Sequence, residues 1–145
     1  MNDTREKEIK EFLNTTFSFG TGKIELYNEA LTHGGNNVVP NNQRLALLGD
    51  SVLGLIIREH YFREHPDWNT GRITTEHQKI EINKIFAETA IKLEIVNCMH
   101  IENPPPNHKT HPTVNEDAFE ALFGAIYLDQ GLKKATEIAK KLKII

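Results

Sequence analysis

The sequence predicts an all-α protein that folds as a single domain over residues 1–145, and three observations support this prediction. Apolar residues recur at three- and four-residue intervals along most of the chain, which is the period of an amphipathic helix. No segment of useful length alternates apolar and polar residues as a half-buried strand does. The 145 residues, 39% hydrophobic and 26% charged, have the size and composition of one globular domain.

Glycine, proline and asparagine residues divide the chain into helical segments. We expect a first helix, capped by Asp3 or Thr4, in a flanking segment that extends to residue 22. Further helices are expected at about 23–33, 42–64, 72–94, 112–130 and 132–142. The segment 72–94 should bend near residues 81–83. The proline-containing segment 96–114 should form a long irregular connection.

The helix predicted at 42–64 carries apolar residues on nearly all sides. A helix of this kind is either central and buried or forms half of a dimer interface. The sequence leaves both interpretations open.

Charge and cysteine content exclude several classes of protein. The net charge of −3 gives no overall basic signal for nucleic acid, although five lysines stand against one glutamate in residues 132–145. These lysines could contact phosphates, but a solvated face is the simpler interpretation. Cys98 stands alone, which rules out an internal disulfide and a cysteine-rich zinc site. With a charged N-terminus and no long apolar run, we expect an intracellular protein, in cytoplasm or nucleus, without membrane association.

The most informative single residue is Asp50, which lies within the most apolar helix. A carboxylate buried there would cost several kcal/mol unless a partner or a metal ion compensated its charge. The alternative is a salt-bridged Asp50 at an exposed edge of the helix.

A second candidate is the pair Asp117 and Glu120, which share one helix face at a spacing of three residues. Two neighbouring carboxylates repel each other unless a cation lies between them, and Mg²⁺ or Mn²⁺ suits such ligands. The alternative is a pair of solvated acids; Glu116 is predicted to lie off this face, in solvent. If the two helices pack together, Asp50, Asp117 and Glu120 would meet at one divalent ion, a site suited to phosphodiester hydrolysis.

Four blocks of sequence resemble the ribonuclease III family in order and spacing. Residues 42–53, NQRLALLGDSVL, resemble the family signature NERLEFLGD, in which the second residue is Glu or Gln, and its continuation. Residues 29–33 (EALTH), 82–87 (INKIFA) and 117–129 (DAFEALFGAIYLD) are similar to three further family blocks. The match spans roughly residues 23–142, and Gln43 follows the variant common in Dicer-type domains.

The resemblance implies a helical endonuclease domain that forms a homodimer. It implies cleavage of double-stranded RNA with Mg²⁺ or Mn²⁺, giving 5′-phosphate and 3′-hydroxyl ends with short 3′ overhangs, a chemistry used in small-RNA processing. Asp50, Asp117 and Glu120 occupy the family's metal-ligand positions. Asp50 and Glu120 would hold the ion directly, and Asp117 would complete or orient the ligand set.

One departure from the family pattern bears on activity. The signature's LEF is Leu45-Ala46-Leu47 here, so Ala46 stands where the family has a fourth acidic ligand. Fewer carboxylates weaken metal affinity. The alternative to an active nuclease is therefore a weakened or inactive relative that dimerises or binds RNA. Gln43, on the same stripe as Asp50, could lend an amide oxygen or serve the structure. The chain also ends about where the nuclease domain does, so it is either a minimal form without the double-stranded-RNA-binding domain of many family members or part of a longer protein.

Overall fold

The structure is a computed structural model that describes the backbone of residues 1–145 and every side chain except that of residue 36. The described backbone contains no β-strand, only an isolated bridge between Thr32 and His100, so the predicted all-α fold is confirmed. The α-helices are α1 (Asp3–Phe17), α2 (Ile24–Ala30), α3 (Gln43–Glu64), α4 (Thr70–Ile82), α5 (Ile85–Lys92), α6 (Pro112–Gln130) and α7 (Leu132–Lys141). Short 3-10 turns lie at Gly35–Asn37, Ile95–Cys98 and His108–Thr110.

The predicted helix boundaries hold for α3, α6 and α7 and need correction at the N-terminal end of the chain. The cap of α1 is Asn2, whose Oδ1 accepts a hydrogen bond from the Arg5 backbone N–H at 2.8 Å, and not Asp3 or Thr4. Helix α2 ends at Ala30, because the chain then pairs through Thr32 with His100. The bend expected near residues 81–83 separates α4 from α5, and Lys84 adopts a left-handed conformation there (φ 52°).

Helices α3 and α6 cross in direct backbone contact, and this crossing builds the centre of the fold. A Cβ at Gly49 would collide with the backbone carbonyl of Glu120, and one at Gly124 would lie 2.5 Å from the carbonyl of Leu45. Glycine is needed at both positions because any side chain would push the helices apart.

One hydrophobic cluster surrounds the crossing. Helices from α1 through α7 contribute to it, with Ile9 and Leu13 at one end of the chain and Ile138 and Ala139 at the other. This shared core supports our proposal that residues 1–145 form one domain.

Helix α3 buries one side and exposes the other. Leu53 and Ile57 have no exposed surface, whereas Leu47, Leu55 and Phe62 are 76%, 50% and 73% exposed. We call these three residues the outer face of α3. The helix is therefore central on one side only, and its apolar outer face is open in the single chain.

No helix in the described part of the chain combines the length and the apolar character needed to cross a bilayer.

Candidate functional site

The crossing of α3 and α6 places two predicted site residues side by side. Asp50 follows Gly49, the residue whose missing side chain lets α3 touch the backbone of Glu120. The two carboxyl groups consequently meet at the point of closest approach of the helices. A glycine-mediated contact between backbones thus sets the distance between these acids.

Among the acidic residues of the site, Glu120 has the pKa that lies furthest from its ordinary value. Burial raises its pKa to about 9, and a hydrogen bond to Asp50 and the negative charges of Asp50, Glu116 and Asp117 act in the same direction. With this pKa, the carboxyl group of Glu120 keeps its proton at neutral pH, and it is hydrogen-bonded to Asp50.

Asp117 lies at the edge of this pair and is held from α3. Its Oδ2 accepts a hydrogen bond from Nε2 of Gln43 at 3.2 Å. Asp117 is close enough for its charge to raise the pKa of Glu120. The three predicted acids thus share one region, with Asp50 and Glu120 in contact and Asp117 beside them.

The described side chains contain no group of three Asp, Glu, His or Cys residues already arranged around a metal position. The donor chemistry nevertheless fits a hard divalent ion, because carboxylate oxygens are the ligands that Mg²⁺ and Mn²⁺ prefer. Among the ion pairs formed by described side chains, none involves Asp50, Asp117 or Glu120. The negative charge is therefore not balanced by a bound lysine or arginine.

Of the two interpretations of Asp50, the structure bears out the exposed edge of the helix and not burial, although no ion pair of the described side chains includes Asp50. Asp50 is exposed, because it borders the open outer face of α3 and does not point into the core. The desolvation cost falls on Glu120, which is half-buried on α6. Of the apolar residues near Asp50 in the sequence, Val52 and Leu53 are buried, whereas Leu47 is exposed on the outer face that Asp50 borders.

The expectation that Glu116 is a solvated residue is wrong. Glu116 is half-buried, and burial and the charges of Asp117, Asp50 and Glu81 raise its pKa. The signal was its spacing of four residues before Glu120, which places both on one helix face as surely as the three-residue spacing of Asp117 does.

Sequence reasoning also missed His77 on α4. Its imidazole is 8% exposed and packs beside Gly54 of α3, one turn beyond Asp50. Burial lowers the pKa of His77, and so does Arg58, against the opposing effects of Glu81 and Asp50. The signal was the position of His77 in the apolar stripe of α4, between Ile73 and Ile80.

Ala46 brings no oxygen to the site. It lies one turn before Asp50 and is 8% exposed, so a buried methyl group occupies the place of the fourth acid in the family signature. The site accordingly has fewer oxygen donors from α3 than the resemblance leads one to expect.

Comparison with known proteins supports the assignment of the fold. A family model described as Ribonuclease-III-like matches residues 23–144. A protein named Ribonuclease 3 from a Nitratiruptor species is 37% identical over 139 residues, which are 94% of this chain and 61% of that protein. Ribonuclease 3 from Pelotomaculum thermopropionicum is 36% identical over 124 residues, 80% of this chain and 52% of that protein. The chain thus spans about half to three-fifths of the length of these relatives.

A solved structure of the nuclease domain of Ribonuclease III from Campylobacter jejuni is also similar. It superposes with a TM-score of 0.83 at 30% sequence identity, over 91% of this chain and 94% of that chain. That structure is described as showing structural flexibility in a region involved in dimer formation. The residues matched by the family model include α3 and α6, the two helices that carry the candidate acids.

Proposed function

The chain belongs to the ribonuclease-III-like family, and on this premise we propose that it is an endoribonuclease that cleaves double-stranded RNA with Mg²⁺ or Mn²⁺. The observation that carries the proposal is the contact between the carboxyl groups of Asp50 and Glu120 at the α3–α6 crossing, with Asp117 beside them. Two acids forced together and left without a neutralising side chain form a cation site better than a structural contact.

The residues have separate roles in this proposal. Asp50 and Glu120 hold the ion, and Asp117 completes or orients the ligand set. A divalent ion bound there supplies Lewis-acid activation of water and stabilises the charge that develops on the leaving oxygen. The products would be 5′-phosphate and 3′-hydroxyl ends with short 3′ overhangs, of the kind used in small-RNA processing.

Protonation of Glu120 controls whether the site can take the ion. Its pKa of about 9 means that the carboxyl holds a proton at neutral pH. The proton must leave before the oxygen can act as a ligand, so ion binding and deprotonation of Glu120 are linked. We therefore expect stronger metal binding as the pH rises towards 9.

The direct experiment is incubation of a long RNA duplex with the protein and Mg²⁺ or Mn²⁺. We expect short duplex products from the wild-type protein and from Glu137→Ala, a control at an exposed acid of α7. We expect no product from Glu120→Ala, because that variant loses one of the two carboxylates that hold the ion. Equal cleavage by wild type and Glu120→Ala would refute the proposal.

A weakened or inactive relative that dimerises or binds RNA is the second candidate, and Ala46 is the observation that favours it. The buried methyl group removes one carboxylate from the family's set. The variant Ala46→Glu separates the two candidates. Modest improvement over a measurable wild-type rate identifies a working three-acid site, whereas activity that arises only in the variant identifies an inactive wild-type protein.

We also propose that the protein forms a homodimer through the outer face of α3. The spacing of Leu47, Leu55 and Phe62 along α3 places all three on one side of the helix. A group of exposed apolar side chains on one helix face is typical of a contact surface. Asp50 lies three residues from Leu47 at the border of this face, so a partner docked there would lie next to the acids. Each protomer would contribute one site.

Sedimentation of a matched pair of variants tests the dimer. Leu55→Lys places a charge on the outer face of α3, and Leu128→Lys places one at a similarly exposed leucine of α6 (50% and 47% exposed). We expect Leu55→Lys to sediment as a monomer and Leu128→Lys to behave as the wild-type dimer. A wild-type monomer at all concentrations, or a dimer unaffected by Leu55→Lys, would contradict this interface.

A further inference from the structure

We propose that Gln43 is a positioning residue whose side-chain amide orients Asp117 towards the metal position. The inference rests on the proposed nuclease function and assigns to Gln43 the role of hydrogen-bond donor, not of ligand. The contact joins the first residue of α3 to α6, 74 positions further along the chain.

Gln43 is fixed at both its backbone and its side chain. Its backbone N–H donates to Oδ1 of Asn41 at 3.0 Å, and its Nε2 donates to Oδ1 of Asn42 at 3.1 Å. The amide nitrogen therefore has a defined position at the beginning of α3.

Asn42, which receives this hydrogen bond, is itself held by burial and by backbone hydrogen bonds. It has no exposed surface, its backbone N–H donates to the carbonyl of Thr32 at 2.9 Å, and its carbonyl accepts from the N–H of Ala46 at 2.8 Å. A buried residue with its backbone paired on both sides is a rigid support. Gln43 thus extends this rigidity outwards to the partly exposed site.

The same nitrogen reaches Asp117. A primary amide carries two hydrogens, so Nε2 can donate to Asn42 and also to Oδ2 of Asp117, which lies 3.2 Å away. A carboxylate at position 43 has no hydrogen to donate and would repel Asp117. Glutamine is therefore the member of the family's Glu-or-Gln pair that can hold the aspartate.

Holding Asp117 has a specific value in this chain. With Ala46 in place of the fourth acid, the site has three carboxylates, and each must be well oriented. A hydrogen bond to one oxygen of Asp117 restricts its rotation and leaves the other oxygen available to a cation. Residues that orient ligands in this way typically change metal affinity about 10- to 100-fold when they are removed.

A double-mutant cycle on Mn²⁺ affinity tests the inference. Isothermal titration with Mn²⁺ would compare wild type, Gln43→Met, Asp117→Ala and the double variant, with Gln78→Met as a control on the exposed side of α4. Methionine keeps the length of the side chain and removes the donor. We expect Gln43→Met to weaken Mn²⁺ binding about 10-fold, to have no further effect when Asp117 is already Ala, and Gln78→Met to match wild type.

A second measurement in EDTA makes no use of the metal. Gln43→Met removes the hydrogen bond to Asn42 in both backgrounds and the hydrogen bond to Asp117 only where Asp117 is present. Gln43→Met should therefore lower the melting temperature of the metal-free wild type more than that of Asp117→Ala. Equal effects of Gln43→Met in both backgrounds, in affinity or in melting, would overturn the positioning role. Wild-type protein that binds no Mn²⁺ would instead overturn the proposed nuclease function and, with it, the inference.

Discussion

Replacing Glu120 by glutamine should stabilise the metal-free protein at alkaline pH. The folded state holds a proton on Glu120 up to about pH 9, whereas the carboxyl in the unfolded chain has an ordinary pKa of 4.5. Between these values the folded state binds more protons than the unfolded state, so the free energy of unfolding falls as the pH rises. Glutamine cannot ionise, so its side chain does not cause the free energy of unfolding to fall as the pH rises.

The size of the effect follows from the same two pKa values. One pKa unit corresponds to about 1.4 kcal/mol, so the interval from 4.5 to pH 8 would convert to roughly 5 kcal/mol without screening. Solvent reaches part of the site, and screening reduces the expected gain of Glu120→Gln to about 2 kcal/mol at pH 8. At about pH 5 the pH is close to the ordinary pKa of 4.5, so the free energies of unfolding of the variant and the wild type should differ by less than about 0.5 kcal/mol.

Urea denaturation in EDTA, followed by far-UV circular dichroism, measures this difference at the two pH values. Glu137→Gln, on the exposed side of α7, serves as a matched control that should follow the wild type. If Glu120→Gln and wild type differed by the same amount at both pH values, the pKa of Glu120 would not be raised in the folded protein. The electrostatic description of the site would then be wrong.

Three further outcomes follow from the geometry. Gly49→Ala should lower the free energy of unfolding by about 3 kcal/mol or more in urea denaturation, because its methyl group meets the carbonyl of Glu120, whereas Gly22→Ala, in open space, should change it little. Tyr27→Phe should cost about 1–2 kcal/mol in the same assay, because it removes the 2.7 Å hydrogen bond from the Tyr27 hydroxyl to Asp129. Mn²⁺ affinity, measured by titration, should rise about tenfold per pH unit from about pH 6 to pH 8, because the raised pKa of Glu120 makes binding release one proton; a flat profile would contradict this.

The sequence predicts the helices well because helical periodicity is a local property. Helices α3, α6 and α7 lie within a residue or so of their expected bounds, and the left-handed Lys84 confirms the expected bend between α4 and α5. The cap of α1 was misassigned because Asn2, Asp3 and Thr4 are all good capping residues and stand next to one another. Local chemistry does not choose among them.

The site was harder to predict, because it depends on how two helices cross. The sequence indicates that Asp50 belongs to an apolar helix, but not that its own side of the helix stays open. The close approach at Gly49 determines that Glu120, and not Asp50, bears the cost of burial. The contribution of Glu116 does have a signal in the sequence, because its four-residue spacing from Glu120 places both on one helix face.

The most direct measurement of the central claim is the position of Mn²⁺ in crystals of this protein, located by anomalous scattering. We predict one strong peak at the α3–α6 crossing, with carboxylate oxygens of Asp50 and Glu120 about 2.1 Å from the ion and Asp117 turned towards it. A crossing without a peak at millimolar Mn²⁺, or an ion bound only at other residues, would contradict this claim.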